Sequence, residues 1–173
     1  YSTDVYTASI DPTTGQLLDS PTKATRRFEG RNLSPVWSPD GNSLAYVSLR
    51  PSSDSSARKS VLVIRCVETG TERELYPEVQ QADYLRWSPD GRSILSLWTG
   101  RGLINMIDVQ TGDVTPIVQP NRVDEARILN FALPSDGKAI FYVREGGSIV
   151  TRDLETGKEK ELCQADGQRG LAV

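Results

Sequence analysis

The sequence predicts an all-β protein: a β-propeller of four-stranded antiparallel blades, present here as three whole blades and partial blades at each end. Three observations carry this. The stretch WSPDG at 37–41 recurs letter for letter at 87–91, with a weaker copy, LPSDG, at 133–137. A second turn, D-x-x-T-G, recurs as DPTTG (11–15), CVETG (66–70), DVQTG (108–112) and DLETG (153–157). Between the turns lie short runs rich in Val, Ile, Leu and Tyr, too short and too weakly periodic at 3.6 to be helices. The glycines of the first turn lie 50 and 46 residues apart, and those of the second 55, 42 and 45 apart. A period in that range with two turns per unit is the mark of a repeat architecture.

Each unit resolves into four runs. The first gives LSPVW, SLAYVS, SVLVIRCV and ERELY. The second gives YLRW, SILSLW, LINMIDV and VTPIV, and the third ILNFAL, AIFYV, SIVTRD and EKELC. Middle runs such as VLVI (61–64) and IFYV (140–143) are apolar on both faces, so they need cover on both faces. Last runs such as ERELY and KEKEL are charged, as suits an exposed sheet edge. Sheets covered on both sides with a charged fourth strand outermost are propeller blades. The expected divisions are a partial blade at 1–28 holding its last two strands, blades at 33–77, 83–119 and 127–163, and the first strand of a next blade at 168–173.

The turns explain their own residues. In S-P-D-G, Pro sets φ for the second turn position, Asp suits the third and Gly accepts a positive φ, which closes a hairpin between the first and second strands. D-x-x-T-G does the same between third and fourth strands, its carboxylate placed to accept backbone N–H groups. Trp37 and Trp87 end innermost strands, where a large ring fills the gap between blades. The third unit has Leu133 at that position, and Cys66 replaces the Asp of the second turn. Both turns thus read as scaffold.

Composition narrows the function. Of 173 residues, 37% are hydrophobic and 25% charged, and the net charge is −3 with signs interspersed. No basic face suited to nucleic acid is predicted, and no apolar run is long enough to insert in a membrane. The first residues lack the features of a signal peptide. Two cysteines, Cys66 and Cys163, are too few for a disulfide framework or a zinc site. The chain has no histidine, no G-x-S-x-G elbow and no phosphate-binding glycine loop. The expectation is therefore a chain that is not an enzyme, with no cofactor, no metal and no catalytic residue. A protein or peptide partner is expected, along with the remaining blades of a parent propeller.

The tight turns share one end of the blades. The irregular segments 26–32, 50–60, 77–83 and 119–127 share the other, and loops carry function more often than scaffold does. Arg26, Arg27, Arg58, Lys59 and Arg122 are the candidate partner-surface residues. Strand parity selects Ser34, Tyr84, Arg86 and Asn130 as candidates to line a central channel.

VWSPDGNSLAYVS and RWSPDGRSILSLW resemble the WD-repeat-like β-propeller repeat of bacterial TolB-type proteins, and the resemblance covers nearly the whole chain. It implies a protein-interaction or sensor scaffold, and an extracytoplasmic setting. Related blades also form the propellers of prolyl-oligopeptidase-like serine peptidases. The alternative is thus a gating propeller whose hydrolase domain lies outside this chain.

Overall fold

A computed structural model describes residues 3–28, 30–51, 58–75, 82–119 and 127–164. Two short strands come first, β1 (Tyr6–Thr7) and β2 (Thr22–Lys23), paired antiparallel. Three four-stranded antiparallel sheets follow, each in simple meander order. The first holds β3 (Arg31–Trp37), β4 (Ser43–Pro51), β5 (Arg58–Cys66) and β6 (Glu72–Leu75). The second holds β7 (Tyr84–Trp87), β8 (Ser93–Trp98), β9 (Leu103–Asp108) and β10 (Val114–Val118). The third holds β11 (Ile128–Ala132), β12 (Ala139–Arg144), β13 (Ser148–Asp153) and β14 (Glu159–Gln164). No helix occurs among the described residues, so none is long and apolar enough to cross a membrane. The chain is a partial β-propeller. The expected strand at 168–173 lies outside the described residues.

The turns close as their residues dictate. Gly41, Gly91 and Gly137 have φ of 72°, 69° and 63°, the left-handed region open to glycine at little cost. In both WSPDG copies the serine does more than mark a position. The Ser38 hydroxyl donates to Asp40 (2.5 Å) and accepts the Ser43 N–H (2.9 Å), and Ser88 repeats this with Asp90 and Ser93. In the third copy Pro134 takes the serine's place, and the turn keeps only the backbone bond from Gly137 and the bond from the Lys138 N–H to Asp136. In the D-x-x-T-G turns, Asp108 accepts the N–H groups of Gln110 and Thr111, both at 2.8 Å, and Asp153 those of Glu155 and Thr156. The two turn types are stitched together at one end of each sheet. Val67, Val109 and Leu154 each donate to a carbonyl beside the neighbouring glycine turn, those of Asn42, Arg92 and Lys138.

Three apolar layers join the units. Val5 and Ala24 pack on Leu44, Tyr46, Val61 and Val63 of the first sheet. The opposite face of that sheet, with Ala45, Val47, Leu62, Ile64 and Leu75, meets Leu85, Trp87, Ile94 and Ile107 of the second. Leu95, Leu97, Ile104 and Val118 of the second meet Phe131, Ile140, Tyr142 and Val150 of the third. Alternate residues of β4 and β8 thus serve opposite layers, as the period-2 geometry of a strand requires. Each fully buried Ile or Leu in these layers contributes roughly 1.5–3 kcal/mol.

The two tryptophans part company. Trp87 is buried between the first and second sheets, and its indole N–H donates to the Val36 carbonyl (3.2 Å). Trp37 is 48% exposed, against the expectation that both rings fill a gap. It faces the side of the first sheet where β1 and β2 are the strands among the described residues, and no inner strand among them lies against it.

The hairpin of β4 and β5 also departs from expectation. Its ladder runs without a break to Arg50↔Lys59 and Pro51↔Arg58, so residues 50, 51 and 58–60 of the predicted loop belong to strands; 52–57 lie outside the described residues. Leu49, Arg50 and Lys59 are extended because their neighbours pair in register, although their side chains gave no sign of a strand.

Candidate functional site

The candidate residues fall into two separate groups. The first lies where the segment after β2 crosses the face of the first sheet. Arg26 and Arg27 are exposed, and their backbone N–H groups both donate to the Glu72 carboxylate, each at 3.2 Å. Glu72 also accepts the Tyr46 hydroxyl (3.0 Å) and lies 3.6 Å from the Arg65 guanidinium. Its side chain is only 2% exposed. Beside it Glu74 makes a two-point contact with Arg50 at 2.7 and 3.0 Å, and Arg27 lies 3.8 Å away. Glu72 of ERELY therefore does more than edge the sheet, since it binds the crossing segment to it, while Arg73 stays exposed. Burial raises the Tyr46 hydroxyl far above its usual pKa, and the Glu72 charge adds to this. Lys59 is exposed, opposite Arg50 on the ladder. Arg58 pairs with Pro51 at the end of β5, and Arg122 lies outside the described residues.

The second group lies on the inner strands β3, β7 and β11. The first two approach one another directly. The Ser34 hydroxyl donates to the Asp83 carbonyl, just before β7, and Trp87 reaches Val36 as described. Ser34 sits in a bulge between Leu33 and Val36 with φ of 54°, a conformation uncommon outside glycine. On β7, Tyr84 and Arg86 are exposed while Leu85 and Trp87 are buried. One Arg86 guanidinium nitrogen donates to the Leu85 carbonyl (2.9 Å). Asn130 on β11 is half-buried, next to a second bulge, and its side-chain oxygen accepts the Phe131 N–H. Tyr84 and Arg86 are thus the exposed members of this group, whereas Ser34 and Asn130 are half-buried.

What the sequence alone did not reveal is the partnership around Glu72. Tyr46, Arg65 and Glu72 stand at the same repeat positions as Tyr142, Arg152 and Glu159, and that coincidence was the signal available. Around Glu159, Arg152 and Arg144 pair at 2.8 and 2.9 Å. The aspartates of the turns are held below the usual carboxylate range by their own bonds. For Asp40 and Asp90 the serine hydroxyl is the main cause, and for Asp108 and Asp153 the backbone N–H groups are. Cys66 occupies the same nest, and its thiol is lowered chiefly by the Thr69 hydroxyl. Among the described residues no group of three or more Cys, Asp or Glu is placed to hold a metal ion.

No protein-family model matches the chain. It is 27% identical over 145 residues to the uncharacterized peptidase YuxL of Bacillus subtilis (strain 168), covering 82% of this chain and 20% of that protein. It is 24% identical over 138 residues to dipeptidyl-peptidase 5 of Aspergillus fumigatus, covering 77% of this chain and 17% of that one. The fold is similar to part of the crystal structure of the tricorn protease, with a TM-score of 0.61 and 17% identity, over 82% of this chain and 14% of that one. The chain thus spans a fifth or less of each curated relative. These relatives overturn the expectation that the chain is not an enzyme, since both are named peptidases. That expectation rested on residue types and motifs absent from these 173 positions.

Proposed function

We propose that this chain is part of the β-propeller of a peptidase. The observation that carries this is the alignment of about four-fifths of the chain with two named peptidases. The propeller fold and its likeness to a region of the tricorn protease support the same reading. In this reading the chain supplies rigid walls past which a peptide reaches the hydrolytic centre, and the outward Tyr84 and Arg86 of β7 face that path. Arg26 and Arg27, fixed by Glu72, form a second polar surface for a protein or peptide partner.

A TolB-type interaction or sensor scaffold is the second reading, and the WSPDG turns alone favour it. One experiment separates the two. The full-length product of the parent gene is purified, treated with a fluorophosphonate serine-hydrolase label and assayed on chromogenic dipeptide anilides. Labelling with cleavage is the expected result. A product that takes no label and cleaves none of the anilides would overturn the peptidase reading in favour of the scaffold.

A further inference from the structure

The tight-turn end of the sheets, which the sequence presents as closed scaffold, contains a groove of about 350 Å³ between the first and second sheets. Trp87, Ile64, Val109 and the two turn prolines Pro39 and Pro89 supply its apolar lining, beside the polar Ser38 and Ser43. On its rim stand Asp40 and Asp90, one from each WSPDG turn, and Arg73 of β6. Pro39, Asp40, Pro89 and Asp90 are exposed.

The molecule contains its own control for this groove. Between the second and third sheets the corresponding turns meet. Ring atoms of Pro89 lie 3.0 and 3.1 Å from where a Cβ on Gly137 would sit, while a Cβ on Gly91 would meet nothing within 4 Å. The groove is therefore not a generic consequence of stacking two such turns. Its charged groups are also unequally occupied. Arg73 is turned onto the Val109 and Gln110 carbonyls of the neighbouring turn. Asp40 spends both oxygens within its own turn, on Ser38 and Asn42. Asp90 spends Oδ1 on Ser88 and Arg92, and no hydrogen bond to its Oδ2 occurs among the described residues.

We propose that this groove docks a peptide segment in which a lysine or arginine adjoins an aliphatic side chain. The aliphatic group covers Trp87 and the two prolines, and the cation lies between Asp40 and Asp90. This site is separate from the inner-strand path and holds or falls independently of the peptidase reading.

The test uses the ¹⁵N-labelled 173-residue chain and two blocked peptides, acetyl-Leu-Lys-Leu-amide and acetyl-Leu-Glu-Leu-amide. The lysine peptide is expected to shift the Trp87 indole N–H and the Gly41 and Gly91 amides saturably, and the glutamate peptide to leave them in place. Asp40→Asn with Asp90→Asn should weaken binding roughly tenfold, since each exposed pair contributes roughly two- to fivefold. Val109→Phe, which leaves the turn carboxylates in place and fills the slot, should abolish the shifts. Absence of shifts at millimolar peptide overturns the proposal. So do equal shifts from both peptides, or binding that survives Val109→Phe.

Discussion

At two of the seams between units a tyrosine, an arginine and a glutamate occupy one set of repeat positions, and at the seam between them the same positions hold a serine and two aliphatic residues. Tyr46, Arg65 and Glu72 face the N-terminal strands, and Tyr142, Arg152 and Glu159 face the second sheet. At the same repeat positions the second sheet has Ser96, Ile107 and Val114, which turn toward the first sheet with Leu75 close by. One fold position thus accepts either solution. A buried ion pair and a well-packed apolar set of similar volume are often near-equivalent for stability, whereas half an ion pair is not. The difference teaches where the molecule needs polar acceptors. The first seam must also satisfy two backbone N–H groups of a crossing segment, at Arg26 and Arg27, which an apolar set cannot do.

That comparison predicts its own largest effect. Glu72→Ala leaves the Arg65 guanidinium only the Gly70 carbonyl and takes the acceptor from the Tyr46 hydroxyl and two N–H groups together, and should destabilise the chain by about 3–5 kcal/mol. Urea unfolding measures it, and a loss below about 1 kcal/mol would show that the crossing segment does not depend on this carboxylate. Glu159→Ala should cost only about 1 kcal/mol, because that carboxylate is 31% exposed and can be replaced by water. Converting the third seam to the middle type, with Arg152→Ile and Glu159→Val together, should change stability by less than about 1 kcal/mol in either direction.

The tyrosines sharpen the comparison at alkaline pH. Burial, reinforced by Glu72 and Glu159, raises both Tyr46 and Tyr142 well above the usual phenol value of 10.0. The sign follows from linkage. The unfolded phenols release protons near pH 10 while the folded ones hold theirs. Their contribution is therefore complete below that pH and is lost as pH climbs toward the folded values. Absorbance at 295 nm should show two phenols that ionise only as the fold opens, and Tyr46→Phe and Tyr142→Phe should each remove one. The carboxylates act at the other end of the scale. Asp40, Asp90, Asp108 and Asp153 all have lowered folded pKa values, so the stability they confer is present above the usual carboxylate range and is lost as pH falls below it.

The turns were legible in the sequence because each is a local object. Five residues carry the proline, the acceptor and the glycine, and nothing distant is needed to close them. Partnerships across the sheet were not legible in the same way. Glu72 reads as an edge charge until Arg65, seven residues earlier, and Tyr46, twenty-six earlier, are brought beside it by ladder register. The same limit hid the true length of the β4–β5 hairpin, whose last pairs are polar and carry no apolar alternation. Strand parity placed Tyr84 and Arg86 outward, as β7 has no bulge. A bulge lies next to each of Ser34 and Asn130, and a bulge shifts what faces where, which parity alone does not register. Trp37 shows the converse: its residue type promised a buried ring, but burial depends on a neighbouring strand, which no single residue encodes.

The smallest expected effect lies in the middle seam, at Ser96. It replaces the tyrosine of the outer seams, is 1% exposed, and its hydroxyl has no hydrogen-bond partner among the described residues. An unpaired buried hydroxyl costs desolvation with nothing in return, while removing it leaves a vacancy of only one atom. Ser96→Ala should therefore leave stability unchanged or raise it by up to about 1 kcal/mol, whereas the polar position it corresponds to in the first seam tolerates no such loss. The measurement is the urea midpoint beside that of Tyr46→Phe, which deprives Glu72 of a donor and should fall. A drop of more than about 1 kcal/mol for Ser96→Ala would mean that the hydroxyl is paired, and that the middle seam is a polar junction like its neighbours.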